Sequence, residues 1–343
     1  MSDKAAPQPL NLLEYHRPKR IRLSDPRIPP LTAESKRCLR NLAAYRPRKA
    51  LYPYPRTRSA AVIVALFVGR MGDLYVLLNR RSATLRSYAG DTSLPGGKVD
   101  PDDKSLEETA RREAFEEIGL PRDRLKVPLL CILEPFMASN KLIVTPVVVL
   151  ILDPIVPILN TAEVTSLFSH PLSAFMSSSP PFPTESELVE VPYHSVNDFV
   201  SVDALGRERP ARVHRFLTGR EAGGIKPIFG MTSAVLIEAA CIAHAPRVPD
   251  YEVYPPGVDP RDKRIAIEVF GNPIFRKAYE EEGVSVDWAV VRRVAGVRGR
   301  RKDGRRDRDG SEGEAEADTE VSEGQEHGRR RRRRMGGRVW SKL

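Results

Sequence analysis

The sequence has 343 residues, of which 41% are hydrophobic, and a formal net charge of +10. This length allows one large or two small domains. Three widely separated cysteines exclude a disulfide framework and a cysteine zinc site, and no apolar run approaches a membrane span. The positive charge suggests a polyanionic partner, but half of the excess lies in residues 298–343, where 15 basic residues accompany 10 acidic ones.

The first half of the chain is predicted to contain both helices and strands. Residues 1–54 are rich in proline and basic side chains, so we expect a loosely attached, partly disordered segment with one helix at 34–44. A β-hairpin is predicted over 59–78, where two apolar runs flank a turn that contains glycine. Further strands are predicted at 129–133 and 142–152.

One helix carries a full set of boundary signals. It is predicted at 106–118, because Ser105 and Glu108 form a capping box at its start and Gly119 follows its end. The segment 160–176 is expected to contain a loop and the start of a helix. Three further helices are predicted, at 232–245, 265–270 and 275–282.

The helix at 106–118 carries the pattern R-E-x-x-E-E-x-G, from Arg112 to Gly119. Glu116 and Glu117 follow Glu113 by three and four residues, so the three carboxylates project from one helix face. Like charges at these spacings destabilise a helix by roughly 0.2–0.5 kcal/mol per pair. A hard divalent cation such as Mg²⁺ would offset this repulsion, since it prefers carboxylate oxygens and bridges to phosphate.

A tight loop, Pro95-Gly96-Gly97, precedes the acidic helix and allows the backbone to approach a ligand closely. Glycines, carboxylates and a metal together suit hydrolysis of a phosphoanhydride, because the metal lowers the pKa of the attacking water. A solvated acidic helix is the alternative explanation of the glutamates alone. It does not account for Arg112, Gly119 and the glycine pair at these spacings.

The segment from Gly97 to Gly119 resembles the Nudix box, in which a glycine, an upstream glutamate and Arg-Glu-apolar-x-Glu-Glu-x-Gly follow at fixed spacing. Here 14 residues separate Gly97 from Arg112, one more than in the usual box. No glutamate stands at the upstream position, where the candidates are Asp102, Asp103 and Lys104. The longer loop, with the pattern G-G-x-x-D-P-x-D, is similar to the coenzyme A diphosphatase branch of the family.

Residues 77–97 resemble a second signature of that branch, L-L-T-x-R-S-x-x-L-R-x-H-x-G leading into F-P-G-G. Arg81 and Arg86 match its arginines, and both could bind phosphate bidentately or could be surface arginines of a basic protein. Three residues depart from the signature where it has Thr, His and Phe: Asn79, Tyr88 and Leu94.

The resemblance implies an α/β Nudix fold at 55–250, with a mixed β-sheet in an α/β/α sandwich. A helical extension at 251–297 and a disordered charged tail at 298–343 would follow. The implied reaction is metal-dependent hydrolysis of the pyrophosphate bond of coenzyme A or its thioesters to 3′,5′-ADP and 4′-phosphopantetheine products. Mg²⁺ or Mn²⁺ would be the cofactor, with three glutamates as its candidate ligands: Glu113, Glu117 and Glu116.

The resemblance also implies roles around the metal. Arg112 would orient the neighbouring glutamate, while Gly96 and Gly97 would shape a loop for the phosphates. The general base stays open between the box glutamates, including Glu113 and Glu116, and a candidate outside the box, Glu163. For Glu163 a helix-capping or solvated role is the alternative. His214 is predicted to lie in a strand, where a structural role is the alternative to contact with substrate.

Two other functions are considered: a Nudix hydrolase of oxidised nucleotides or nucleoside diphosphate conjugates, and a non-catalytic, RNA-associated Nudix protein. Six consecutive arginines at 329–334 suggest a nuclear signal or nonspecific RNA binding. No stacking aromatic residues are interleaved with them, which disfavours a nucleic-acid partner. The printed sequence ends in Ser341-Lys342-Leu343, which predicts recognition by the peroxisomal import receptor and a peroxisomal location.

Overall fold

The computed structural model describes residues 24–182, 192–221 and 224–297. The start of the N-terminal segment and the whole of 298–343, with its arginine run and import tripeptide, lie outside the described residues. What the sequence predicts for them therefore stays a prediction. Within the described part of the chain, no helix is both long and apolar enough to cross a membrane.

A mixed sheet lies at the centre of the described structure. In the described ranges it contains eight strands: β1 (Ser59–Val68), β2 (Leu74–Arg81), β3 (Thr92–Ser93), β4 (Gly96–Lys98), β5 (Leu129–Ile132), β6 (Phe136–Met137), β7 (Ile143–Leu150) and β8 (Val164–Pro171). β1 is parallel to β7 and antiparallel to β2. The first residues of β1 pair with β4, the glycine strand, which contains Gly96 and Gly97. The last residues of β1 pair with β2 on the same edge. β4 therefore lies between β1 and the diverging end of β2.

Alternate residues of β1 belong to two separate cores, one on each face of the sheet. On one face Ile63 packs with α2 (Leu106–Ile118), whose inward residues are at most 4% exposed: Leu106, Ala110, Ala114 and Ile118. On the other face Val64 packs in a core that contains α1 (Ala33–Ala44) and α3 (Gly230–His244). The predicted mixed sheet in an α/β/α sandwich is confirmed.

Helix α1 packs firmly in the core. Cys38, Leu39 and Leu42 are at most 1% exposed and contact the core that contains α3, and Thr32 caps the helix by accepting a hydrogen bond from the Ser35 N–H at 3.0 Å. The prediction of a loosely attached N-terminal segment is wrong for this helix. The surrounding prolines and basic residues dominate the composition, but three apolar side chains on one helix face determine the packing.

The prediction for 160–176 contains a helix start, which the structure shows as a short 3₁₀ helix, but misses a strand. Val164–Pro171 forms β8, which pairs antiparallel with β2, and a 3₁₀ helix at Leu172–Met176 follows it. The paired residues of β2 lie between 83 (Arg81 and Val164) and 96 (Tyr75 and Pro171) positions earlier in the chain, so local sequence does not reveal the pairing. A second sheet, which is antiparallel, consists of β9 (His194–Val202), β10 (Glu208–Glu221) and β11 (Gly224–Phe229).

Between α3 and residue 297, where the described structure ends, there are three helices: α4 (Arg261–Gly271), α5 (Pro273–Glu282) and α6 (Trp288–Val294). The sequence predicts parts of α4 and α5, which are confirmed, and misses α6. These helices share a core with Tyr52 and with Ile143 at the start of β7. Residues 251–297 therefore pack directly against the segment before β1 and the start of a central strand.

Candidate active site

Local signals place the acidic helix against β4. Ser105 caps α2 by accepting a hydrogen bond from the Glu108 N–H at 3.1 Å. Gly119 ends the helix with φ +69°, in the left-handed region that glycine adopts without strain. The predicted bounds of α2 are those observed, so Glu113 and Glu117 lie one turn apart on the side that faces β4.

Glu117 is buried, with a relative exposure of 3%. The Asn79 side-chain N–H donates to Glu117 Oε2 at 3.0 Å, and Ser93 Oγ donates to Asn79 Oδ1 at 2.5 Å. Burial raises the pKa of Glu117 to about 7, against the lowering effect of the Arg81 charge and a hydrogen bond from the backbone N–H of Gly96. A carboxyl group with such a pKa is present in both its protonated and its ionised form near neutral pH, and the ionised form can bind a cation.

Glu113 is half-buried, and its carboxylate lies against Gly97 so closely that a Cβ at that position would overlap it. Burial raises the pKa of Glu113, although Arg112 Nη1, which donates to Glu113 Oε1 at 2.9 Å, opposes the shift. The glycine pair and the glutamates, which the sequence predicts to lie together, are therefore in direct contact. The backbone N–H of Gly96 contacts Glu117, and the absent side chain of Gly97 leaves space for Glu113.

Arg112 connects the helix to the loop that precedes it. Its Nε and Nη2 donate to the two carboxylate oxygens of Asp103 at 3.1 and 2.9 Å, and Nη2 also donates to the Lys98 carbonyl at 3.0 Å. Burial disfavours ionisation of Asp103, but hydrogen bonds from Arg112, the Asp100 N–H and the Thr109 hydroxyl lower the pKa of Asp103. Asp103, one of the three candidates for the upstream acidic position, thus anchors Arg112.

The other predicted site residues differ in exposure and in their contacts with the site. Glu116 has a side-chain exposure of 53%, and its carboxylate lies 3.3 Å from Arg112 Nη1. Arg81 is half-buried, its charge lowers the pKa of Glu117, and its buried Nε has no hydrogen-bond partner among the described residues. Arg86 is exposed in the loop after β2, and no described contact joins it to the glutamates.

The two candidates outside the box differ. The charge of Glu163 raises the pKa of both Glu113 and Glu117, which places it beside the site. His214 is 4% exposed and hydrogen-bonded to His194 at 2.9 Å and to the Val253 carbonyl at 2.8 Å. It stacks on His194 in an aromatic cluster, so the structural explanation holds for His214.

In the described ranges no three His, Cys, Asp or Glu side chains converge into a closed metal site. Mg²⁺ commonly uses only one or two carboxylates and takes its remaining ligands from water and substrate phosphates. Glu113 and Glu117, with raised pKa values, fit that pattern, and the unpartnered Nε of Arg81 fits a phosphate oxygen. The residues present fit a divalent cation together with a phosphorylated substrate. The third ligand, Glu116, stays a prediction.

The pKa of Glu117 predicts how stability depends on pH in the metal-free protein. The folded-state value of about 7 exceeds the ordinary 4.5, so the folded state binds more protons between these values. The contribution of Glu117 to the free energy of unfolding should therefore decrease as pH rises from 4.5 to 7, by at most about 3 kcal/mol. His170 and His194, whose burial lowers their pKa to about 4, change stability in the opposite sense, so the contribution is the difference between wild type and Glu117→Gln. Urea denaturation of both proteins with EDTA at several pH values measures this difference, and saturating Mg²⁺ should abolish its pH dependence. A difference that stays constant with pH in EDTA would contradict the assignment.

A family model described as the NUDIX domain matches residues 56–214. "Nudix hydrolase 15, mitochondrial" of Arabidopsis thaliana is 35% identical over 191 residues, which are 55% of this chain and 60% of that protein. "Peroxisomal coenzyme A diphosphatase 1, peroxisomal" of Saccharomyces cerevisiae is 50% identical over 93 residues, 26% of this chain and 27% of that protein. "Uncharacterized Nudix hydrolase NudL" of Pectobacterium atrosepticum is 38% identical over 138 residues, 40% of this chain and 70% of that protein.

The fold and the site define an α/β sandwich protein with an acidic helix packed behind a glycine strand. The chain belongs to the Nudix hydrolase family. The matched range contains the glycine pair, all three box glutamates, Arg81 and Glu163. The matches span 60% of the length of the plant relative and 27% of the yeast relative.

Proposed function

We propose that this protein hydrolyses the pyrophosphate bond of coenzyme A or its thioesters in the presence of Mg²⁺ or Mn²⁺. The products would be 3′,5′-ADP and a 4′-phosphopantetheine species. The observation that carries the proposal is the contact of Glu113 and Glu117 with the glycine strand, which presents two carboxylates beside backbone that a phosphate can approach. The choice of substrate is supported by the loop with the pattern D-P-x-D and by the name of the yeast relative.

In this proposal each side chain has a separate task. A bound divalent cation would neutralise phosphate charge and lower the pKa of the attacking water. Glu117 and Glu113 would hold the cation, and Arg112 keeps the Glu113 carboxylate in place. Arg81 would donate its free Nε to a phosphate oxygen. Glu163, which lies close to both glutamates, is the candidate base for the water.

Product analysis tests the proposal. The full chain is incubated with coenzyme A and either Mg²⁺ or EDTA, and the products are separated and identified by mass. We expect 3′,5′-ADP and 4′-phosphopantetheine with Mg²⁺ and neither with EDTA, and neither from Glu117→Gln. Absence of both products with wild-type protein would contradict the proposed reaction.

A substrate panel decides between the proposed substrate and the other two functions. A kcat/KM for oxidised nucleotides or nucleoside diphosphate conjugates above that for coenzyme A would replace the substrate but keep the reaction. Salt-sensitive RNA binding that disappears on deletion of 298–343, without hydrolysis of any compound, would favour the RNA-associated alternative. The presence of all three box glutamates favours an enzyme.

A peroxisomal location is part of the proposal. It depends on Ser341-Lys342-Leu343 as a free terminal signal and is supported by the name of the yeast relative, while the plant relatives are named mitochondrial and chloroplastic. A fluorescent protein fused to the N-terminus should give punctate fluorescence that becomes cytosolic when the tripeptide is deleted. Unchanged puncta after the deletion would contradict the import assignment.

A further inference from the structure

A short 3₁₀ helix, Arg56–Arg58, lies just before β1 and contacts the loop that leads into the acidic helix. Arg56 Nη2 donates to the backbone carbonyls of Asp100, Pro101 and Asp103 at 3.0, 3.1 and 2.9 Å. Hydrogen bonds from a charged donor are stronger than those between neutral groups. The three contacts of Arg56 Nη2 therefore fix the backbone conformation of loop 100–103.

The same loop holds Arg112. Arg56 binds the carbonyl of Asp103, whereas the carboxylate of Asp103 accepts two hydrogen bonds from Arg112. Arg112 in turn donates to Glu113. A continuous series of contacts therefore leads from Arg56 through one loop residue to a carboxylate proposed to bind the cation.

Arg56 is itself held by the C-terminal helices. Glu282, the last residue of α5, accepts hydrogen bonds from the backbone N–H of Arg56 at 2.8 Å and from the backbone N–H and hydroxyl of Thr57 at 2.7 and 2.6 Å. All three partners are donors, so a carboxylate satisfies them and a neutral amide does not. Tyr279 of the same helix donates to the Pro53 carbonyl at 2.7 Å, which also joins α5 to this segment.

We propose that Arg56 and Glu282 are positioning residues for the catalytic loop. Glu282 holds the 3₁₀ turn, the turn directs the Arg56 guanidinium onto loop 100–103, and the loop keeps Asp103 on Arg112. The helical extension 251–297 is then part of the catalytic unit. The proposal rests on the proposed function, in that its effect on kcat presupposes hydrolysis by the box glutamates.

Matched substitutions test the proposal on the full chain, with kcat and KM measured for coenzyme A and Mg²⁺. Arg56→Ala is expected to lower kcat about 10-fold or more, with KM changed less than about twofold, because Glu113 loses its support in the transition state. Arg58→Ala removes the same charge from the same turn and should keep wild-type kcat. Arg56→Lys should recover part of the loss, since an ammonium group still offers three donors.

Glu282→Gln should reduce kcat in the same sense as Arg56→Ala, whereas Glu281→Gln on the same helix should not. Because Glu282 acts through Arg56, the double substitution of Arg56→Ala and Glu282→Gln should be no worse than Arg56→Ala alone. Equal kcat in Arg56→Ala and Arg58→Ala would overturn the proposal. A loss of kcat in the double variant equal to the product of the two single losses would also overturn it. Such a result would mean that the two residues act independently, through general effects on folding.

Hydrogen exchange gives a readout that does not depend on catalysis. The Asp103 N–H donates to the Asp100 carbonyl at 3.0 Å, and the Asp100 N–H donates to Asp103 Oδ2 at 2.9 Å. Deuterium uptake in a peptide covering 98–105 should increase in Arg56→Ala but not in Arg58→Ala. Unchanged uptake would overturn the loop contact. Increased uptake in Arg56→Ala, together with a wild-type protein that hydrolyses none of the tested compounds, would instead contradict the proposed function alone.

Discussion

Replacement of Glu117 by glutamine is expected to lower kcat for Mg²⁺-dependent hydrolysis by about 1,000-fold. The cation supplies several kcal/mol of stabilisation to the charge in the transition state, and each 1.36 kcal/mol corresponds to about a tenfold change in rate. Glutamine keeps the side-chain volume, and its amide oxygen can still accept the hydrogen bond from Asn79. The loss should therefore reflect the missing negative charge.

The same substitution should stabilise the metal-free protein above pH 7. Ionised Glu117 is buried beside two other carboxylates whose charges raise its pKa, so removing its charge removes that cost. We expect the free energy of unfolding at pH 8 to increase by about 1–3 kcal/mol. Glu281→Gln, the same change on an exposed part of α5, serves as the control for both measurements.

Retention of more than a few per cent of the wild-type rate in Glu117→Gln would exclude Glu117 as a ligand of the cation.

Features that depend on local sequence could be predicted. The bounds of α2 follow from the capping box at Ser105, an apolar face at spacings of four residues and a glycine that adopts a positive φ. The association of the glycine pair with Glu113 and Glu117 could also be predicted, because strand and helix are close in sequence and the spacing fits a known motif. In these parts of the site, the contacting residues are separated by short stretches of sequence.

Features that depend on distant contacts could not be predicted. Asn79 supports Glu117 from 38 residues away, and Glu282 binds the turn at Arg56 from 226 residues away. Strand β8 could not be predicted because its partner β2 decides its conformation. The helix α1 was predicted, but its firm packing on α3 was not, because proline and basic residues surround it in the sequence. Asp103 was one of three candidates until its hydrogen bonds with Arg112 distinguished it.

Gly97→Ala is expected to reduce kcat about 100-fold with little change in stability. The new Cβ would overlap the carboxylate of Glu113, the flexible end of a side chain that can rotate away. Movement of a catalytic group by about 1 Å can cost about 100-fold in rate. The free energy of unfolding should change by less than about 1 kcal/mol, because no backbone atom has to move.

Gly96→Ala provides the contrast at the neighbouring position. There the new Cβ would overlap the Ala61 carbonyl and lie 2.6 Å from Val62 Cα, both in the backbone of β1. The pairing of β4 with β1 must therefore loosen, and we expect a loss of about 1–3 kcal/mol in stability as well as activity. Urea denaturation and kcat measured on both variants separate the two effects. If Gly97→Ala kept the wild-type kcat, or lost more stability than Gly96→Ala, the Glu113 carboxylate would not depend on the space that Gly97 leaves for it.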